Sequence, residues 1–150
     1  MATTVHLHIA ERETVFTVDG SREPFAVLPI GTARPGGRAF RASPPGALDL
    51  EEAIEGIENA VMPLARTLPA GARLVTGDAL AQRLPGMVGG ELAREAVERA
   101  FGLLAEVAEG RPAAHGGEIV EPALAGYVLI LREVMHHLGF HVLAAAPPAA

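Results

Sequence analysis

The stretch TVHLHIAERETVFTVDGSREPFAVLPI, residues 4–30, decides the predicted fold. Apolar and polar residues alternate along Thr4–Ile9, which is typical of a strand with one buried face. Short polar turns separate this segment from two further predicted strands, Thr14–Val18 and Phe25–Ile30. Connections this short join antiparallel neighbours, so the region predicts an antiparallel β-meander. Arg38–Ala42 is either a fourth short strand or a loop.

The breaker segment Ala42–Gly46 ends this region, and the apolar period then changes from two to about 3.6. Asp49 and Glu52 form a capping-box pattern at the start of a long helix, and Pro63 is expected to kink or end it. The later predicted elements are a strand at Arg73–Thr76, a short helix at Ala79–Leu84, long helices at 91–108 and 122–138, and a final strand at Phe140–Leu143. The predicted class is α+β: an N-terminal antiparallel β-meander of three to four strands followed by helix-strand-helix-helix, packed as one layer-type domain.

Length and composition predict one globular domain over residues 1–150, with a loose Ala/Pro tail from about residue 144. The chain has no cysteine, which excludes disulfides, thiolate metal sites and cysteine nucleophiles. No apolar run approaches the roughly 18–20 residues of a membrane span, and the N-terminus does not resemble a signal peptide. We therefore expect a soluble, cytoplasmic protein with no membrane partner. The net charge of -6 argues against nucleic-acid binding, which needs a basic surface.

Three arginines, Arg34, Arg38 and Arg41, are the only charged residues between Pro24 and Leu48. An arginine-bearing loop with glycines suits a phosphate or carboxylate, and this loop leads to a helix N-terminus. It matches neither the GxxxxGK[ST] nor the GxGxxG phosphate-binding pattern. Anion binding by these arginines therefore competes with a hairpin turn whose arginines pair with acidic residues elsewhere.

Two groups of histidines have metal-ligand spacing. Glu133, His136 and His137 share one face of the last predicted helix, with the E-x-x-H spacing used in helical metal sites. The alternative is a solvated polar face whose histidines interact favourably with the helix C-terminus. His6 and His8 project together from the first strand, either as chelating residues or as the polar face of a one-sided sheet.

The chain has three aspartates, and each lies at the boundary of a predicted element. Asp19 ends a strand, Asp49 begins the first long helix, and Asp78 ends the next strand. Carboxylates that converge at strand ends bind Mg²⁺ or Mn²⁺ and position a phosphoryl group. The alternative is that each aspartate forms a turn or caps a helix.

The sequence FTVDGS at residues 16–21 and TGD at 76–78, with Asp49 or Glu52 between them, resembles ribonuclease H. That family has an aspartate followed by Gly and Ser at the end of its first strand, an acidic residue in its first helix, and an aspartate ending the following strand. This chain departs from the pattern because the strand Thr4–Ile9 precedes the matching one, and no fourth acid is evident. The resemblance implies a divalent-metal-dependent, nuclease-like enzyme whose catalytic acids are Asp19, Asp49 or Glu52, and Asp78.

Two classes of function remain open. The first is a non-enzymatic protein that acts by self-association, as a homo-oligomer, or by binding a small anion such as a phosphate-containing ligand. Its basis is the high hydrophobic content of 49%, together with a last helix that is apolar over more than half of its circumference. The alternative is a divalent-metal-dependent phosphoryl-transfer or nuclease-like enzyme with Mg²⁺ or Mn²⁺ at an acidic cluster formed by strand ends.

Overall fold

A computed structural model describes residues 3–111 and 119–146 of the chain. Within these residues it contains six strands, three α-helices and two short 3₁₀ helices at 62–66 and 79–83. The strands are β1 (Thr4–Ile9), β2 (Thr14–Val18), β3 (Ala26–Leu28), β4 (Arg73–Thr76), β5 (Glu91–Ala93) and β6 (Val142–Ala145). The helices are α1 (Ala47–Val61), α2 (Arg94–Ala108) and α3 (Pro122–Leu138).

All six strands form one mixed sheet in the order β3-β2-β1-β4-β6-β5. The first three pair antiparallel, as the short connections between them predict, and β1, β4 and β6 run parallel to one another. Strand β5 pairs antiparallel with β6 and is the last strand on that side of the sheet. The C-terminal ends of β1, β4 and β6 therefore lie together, at what we call the carboxyl edge. The C-terminal end of β2 lies at the opposite edge.

The predicted class of mixed α and β structure is confirmed, and the differences are local. Arg38–Ala42 forms no strand, so the meander has three strands. Glu91–Ala93, predicted as the first turn of a helix, pairs with β6 as strand β5 instead. Strand β6 continues through Ala145, two residues into the predicted tail, and residues 147–150 lie outside the described part of the chain. At Glu91–Ala93 the pairing with β6 overrides local helix propensity, and at residues 144–145 pairing with β4 and β5 orders part of the predicted tail.

Helix α3 is the centre of the core. Both α1 and α2 pack against it, and its residues from Leu124 to Leu131 are all buried. On the sheet, Val5, Leu7 and Ile9 face this helical layer, while His6 and His8 on the same strand are exposed. The opposite side of the sheet, called here the open face, also exposes Val27 and Val142. None of the helices in the described ranges is long and apolar enough to cross a membrane.

A close backbone contact fixes the loop after β3 against α3. A Cβ atom on Gly126 would lie only 2.5 Å from the carbonyl oxygen of Thr32. On the other side of this loop, the amide of Thr32 donates to the carbonyl of Ala10, which follows β1. Only glycine permits this approach at position 126, so the loop and the carboxyl edge are positioned together.

We expect Gly126→Ala to lower the free energy of unfolding by about 1–3 kcal/mol, because the added methyl group must displace Thr32 or the helix. The matched control is Gly102→Ala on α2, where no heavy atom lies within 4 Å of an added Cβ. That variant should gain about 0.5–1 kcal/mol from helix propensity. Urea unfolding measures both values, and equal effects of the two variants would contradict the close contact at Gly126.

Candidate active site

The carboxylate of Asp78 connects three elements at the carboxyl edge. Asp78 follows β4, and because β4 runs parallel to β1, it lies beside the end of that strand. Its Oδ2 accepts hydrogen bonds from the amide of Ile9 at 2.9 Å and from the Tyr127 hydroxyl of α3 at 3.0 Å. Its Oδ1 is hydrogen-bonded to Nδ1 of His8. The main-chain amide of Asp78 donates to Thr76 Oγ1 at 3.0 Å.

The side chains hydrogen-bonded to Asp78 differ sharply in their exposure to solvent. The Asp78 side chain is 8% exposed, whereas the His8 side chain is 63% exposed. Tyr127 is fully buried, and burial, followed by the negative charge of Asp78, raises the pKa of its hydroxyl far above the ordinary value. Tyr127 therefore stays protonated and donates to Asp78. An ionised carboxylate only accepts, so the pairing orients His8 with Nδ1–H towards Asp78 and Nε2 away from it.

His8 borders a cavity of about 360 Å³ on the open face of the sheet. His6, Val15, Thr17 and Asp78 also line this cavity. A carboxylate that holds an imidazole by Nδ1 is the arrangement of a general base, because it sets the tautomer and stabilises the imidazolium that forms. The accessible ring of His8 and the cavity beside it can therefore support proton transfer to or from a bound ligand.

Asp19 does not join Asp78. Its amide donates to the carbonyl of Thr4, at the start of β1, whereas Asp78 binds Ile9 at the end of that strand. These two positions on β1 are roughly 16 Å apart. The cause is the antiparallel pairing of β1 with β2, which carries the end of β2 away from the carboxyl edge. Asp19 instead accepts from His6 Nε2 at 2.8 Å, and both side chains are at least half exposed.

The ribonuclease H resemblance therefore assigns its first acid to the wrong strand. The strand that lies parallel to β4 is β1, and Ala10 rather than an aspartate follows it. Strand β2, which ends in Asp19, is its antiparallel neighbour. The acids that the resemblance pairs across the sheet lie at opposite edges.

Asp49 and Glu52 bind residues of the loop that precedes α1. Asp49 accepts from the amides of Arg41, Ala42 and Gly46 at 3.0–3.3 Å. Burial opposes its ionisation, but these three donors outweigh burial and hold the pKa of the carboxyl below its ordinary value. Glu52 pairs with Arg41 at 2.8 Å. The helix begins after Gly46, so Asp49 occupies the third helical position rather than the predicted cap.

The three arginines proposed for anion binding do not line one cavity. Arg34 donates from Nη2 to the Gly37 carbonyl within its own turn, and Arg41 pairs with Glu52. Arg38 borders a cavity of about 300 Å³ that Asp49, Glu52 and Glu55 also line. Carboxylates at this density oppose an anion. Arg41 forms the acidic pair of the alternative interpretation, whereas Arg34 bonds a main-chain carbonyl instead.

In the predicted cluster of Glu133, His136 and His137, the structure has Glu58 in place of His136. Across residues 3–111 and 119–146, the group of three potential ligands with mutually close atoms is Glu58, Glu133 and His137. His136 is exposed, and its ring meets the ring of His137 edge-on at 4.9 Å between centroids. Glu133 is buried, so this part of α3 is not the solvated face of the alternative interpretation. Nothing in the sequence connects Glu58 of α1 with α3.

The fold matches solved structures over nearly the whole chain. The Ppx/GppA phosphatase of Aquifex aeolicus, type II variant, aligns with a TM-score of 0.66 and 12% identity. An exopolyphosphatase-like protein (0.66, 16%) and an exopolyphosphatase from Cytophaga hutchinsonii (0.65, 13%) align similarly. These alignments cover 97–99% of this chain and 53–55% of those chains. No protein-family model and no curated protein matches the sequence.

The chain has the fold of about half of a Ppx/GppA phosphatase. Identities of 12–16% establish the architecture of this domain and nothing about its substrate. The chain spans about half the length of these structures.

We expect Tyr127→Phe to destabilise the protein by about 1.5–3 kcal/mol, because it removes a buried hydrogen bond to a charged acceptor while keeping the ring. Urea unfolding at pH 7 measures the difference. An unchanged stability would contradict the bond between the Tyr127 hydroxyl and Asp78.

The pH dependence supplies a second test of Tyr127, the only tyrosine in the chain. Folding raises the pKa of this hydroxyl. Its contribution to the free energy of unfolding is therefore complete below the pKa of tyrosine in the unfolded chain, about 10, and declines as the pH rises beyond that value. Above pH 10 the free energy of unfolding of the wild type should therefore fall relative to that of Tyr127→Phe, by up to roughly 1.4 kcal/mol for each pH unit. Ultraviolet titration should show no tyrosinate in the native protein near pH 10, and an ordinary titration there would contradict the buried hydroxyl.

Proposed function

We propose that this chain is a phosphatase-type domain that hydrolyses a phosphate-containing substrate beside His8. The observation that carries this proposal is the His8–Asp78 pair at the carboxyl edge, where a buried carboxylate orients an accessible imidazole. Ligand sites of sheets with parallel strands gather at this edge. The likeness to structures described as phosphatases and exopolyphosphatases supports a phosphate ester or phosphoanhydride as the substrate class.

In the proposed reaction His8 acts as the general base. Its Nε2 accepts a proton from a water molecule as the oxygen of that water forms a bond to phosphorus. The bond from phosphorus to the leaving oxygen breaks, and that oxygen keeps the electron pair. Asp78 accepts from Nδ1 throughout and stabilises the imidazolium. Tyr127 and the amide of Ile9 hold the carboxylate in place.

The donor set at this edge does not fit a bound Mg²⁺ or Mn²⁺. Both carboxylate oxygens of Asp78 already have partners, and Asp19 lies at the other end of β1. Hard cations of this kind need several free oxygen ligands. The roles proposed for His8, Asp78 and Tyr127 therefore involve the residues of this chain alone.

We also propose that a second copy of the chain covers the open face of the sheet. The open face exposes Val27 on β3 and Val142 on β6, so apolar side chains lie on both sides of the strand that carries His6 and His8. A symmetric dimer through this face would also enclose the cavity beside His8.

The hydrolysis proposal is tested by phosphate release from inorganic polyphosphate and from p-nitrophenyl phosphate. We expect His8→Gln to reduce the rate about 10²- to 10⁴-fold, the range for loss of a general base. The matched control is His141→Gln, an exposed histidine at the start of β6. Full activity in His8→Gln, or the same loss in both variants, would refute the assignment. A wild-type protein that neither hydrolyses these substrates nor binds pyrophosphate, measured by NMR shifts of His8, would refute the substrate class.

The dimer proposal is tested by light scattering after size-exclusion chromatography. We expect a dimeric wild type and a monomeric Val27→Glu variant, because the new charge would have to be buried in the interface. Val88→Glu is the control, since Val88 is 77% exposed in the loop before β5. A monomeric wild type, or loss of the dimer in the control alone, would overturn the proposal.

A further inference from the structure

Glu58, Glu133 and His137 form a second cluster, distant from Asp78. Glu58 lies near the end of α1, and Glu133 and His137 lie one turn apart near the end of α3. Tyr127, which contacts Asp78, precedes Glu133 by six residues on the same helix, or about 9 Å along its axis. The chain continues from α3 to the start of β6, so the cluster lies towards the edge of the sheet opposite the carboxyl edge.

The interatomic distances in this cluster resemble those between the ligands of one metal ion. His137 Nε2 lies 3.2 Å from Glu133 Oε1 and 3.6 Å from Glu58 Oε1. Tetrahedral ligands at the usual zinc–nitrogen and zinc–oxygen distances are about 3.3 Å apart. All three ligand atoms lie within 4.8 Å of one another, so small side-chain shifts would bring them around one ion.

The local charge balance is negative without a cation. Arg132 is shared between Glu133, at 2.9 Å, and Glu98 of α2, at 3.0 Å. Glu58 adds a further carboxylate beside His137, so three acids face one guanidinium and one imidazole. Arg132 contacts Oε2 of Glu133, which leaves Oε1 directed at the histidine. A divalent cation at this position would neutralise the group.

The burial of Glu133 gives independent support. Its side chain is only 3% exposed, and it contacts Arg132 at 2.9 Å and His137 at 3.2 Å. A buried carboxylate with an incompletely compensated charge is costly, and coordination to a cation is one of the few arrangements that stabilises it. Glu58 is 40% exposed and His137 is 19% exposed, so an ion can reach the cluster from solvent.

We propose that Glu58, Glu133 and His137 bind one zinc-class divalent cation that joins α1 to α3. A set of one imidazole and two carboxylates suits Zn²⁺ and its neighbours in the transition series better than Mg²⁺, which prefers oxygen ligands. Water would complete the coordination. The position near the ends of two packed helices indicates a structural site, separate from the proposed hydrolysis beside His8.

The competing account is that a protonated His137 supplies the positive charge by itself. In that case the histidine would form ion pairs with Glu133 and Glu58, and added metal would change nothing. The two accounts differ in the response to added metal, because only the first contains a site that Zn²⁺ occupies. A zinc-dependent gain in thermal stability at pH 7.5–8 distinguishes them.

The experiment measures Zn²⁺ binding by calorimetry and the unfolding temperature with and without Zn²⁺, in chelator-treated full-length chain. We expect one site that raises the unfolding temperature, with about tenfold or greater loss of affinity in Glu58→Gln and in His137→Gln. Both residues are partly exposed, so these variants should fold even if a variant of buried Glu133 does not. The matched controls are Glu55→Gln, one turn earlier on α1, and the exposed neighbour His136→Gln.

Binding and the rise in unfolding temperature should persist in the two controls and in His8→Gln, which removes the accessible histidine of the other site. Mg²⁺ at the same concentration should produce no shift. The absence of zinc binding, or binding that Glu58→Gln and His137→Gln leave unchanged, would overturn the proposal. Zinc binding abolished by His8→Gln would assign the ion to the open face instead.

Discussion

The parallel pairing of β1 with β4 is the constraint on which the rest of the structure depends. It places Asp78 beside the end of β1, where the carboxylate meets the amide of Ile9 and the ring of His8. It also directs the connection through α1 across one side of the sheet, since a parallel neighbour requires a crossover. The antiparallel meander before it then carries Asp19 to the opposite edge.

Helix α3 has few polar side chains within its buried surface, and each has a specific partner. Tyr127 donates to Asp78, while Glu133 contacts Arg132 and His137. Buried polar groups without partners are costly, so these contacts position α3 relative to the sheet on one side and α1 on the other. The proposed reactive site and the proposed metal site both use this helix, about two turns apart, and they combine it with different elements.

The fold of this domain is shared with about half of each Ppx/GppA-like structure, at 12–16% identity. At that distance an architecture can persist while the residues at its carboxyl edge change completely. Here the carboxyl edge contains Asp78, His8 and Tyr127, and the proposed hydrolytic role rests on the imidazole that Asp78 orients.

The sequence alone determined the elements whose signal is local. Alternation of apolar and polar residues predicts β1 and β2, and an apolar helical face that begins at Pro122 predicts α3. Gly139 ends that helix in a left-handed conformation. Only the tertiary structure decided which side chains meet. Glu58 reaches His137, and His8 reaches Asp78, across 79 and 70 positions of sequence respectively. Such contacts depend on strand order and helix packing, which local periodicity does not encode because one pattern of burial is compatible with many arrangements of the same elements.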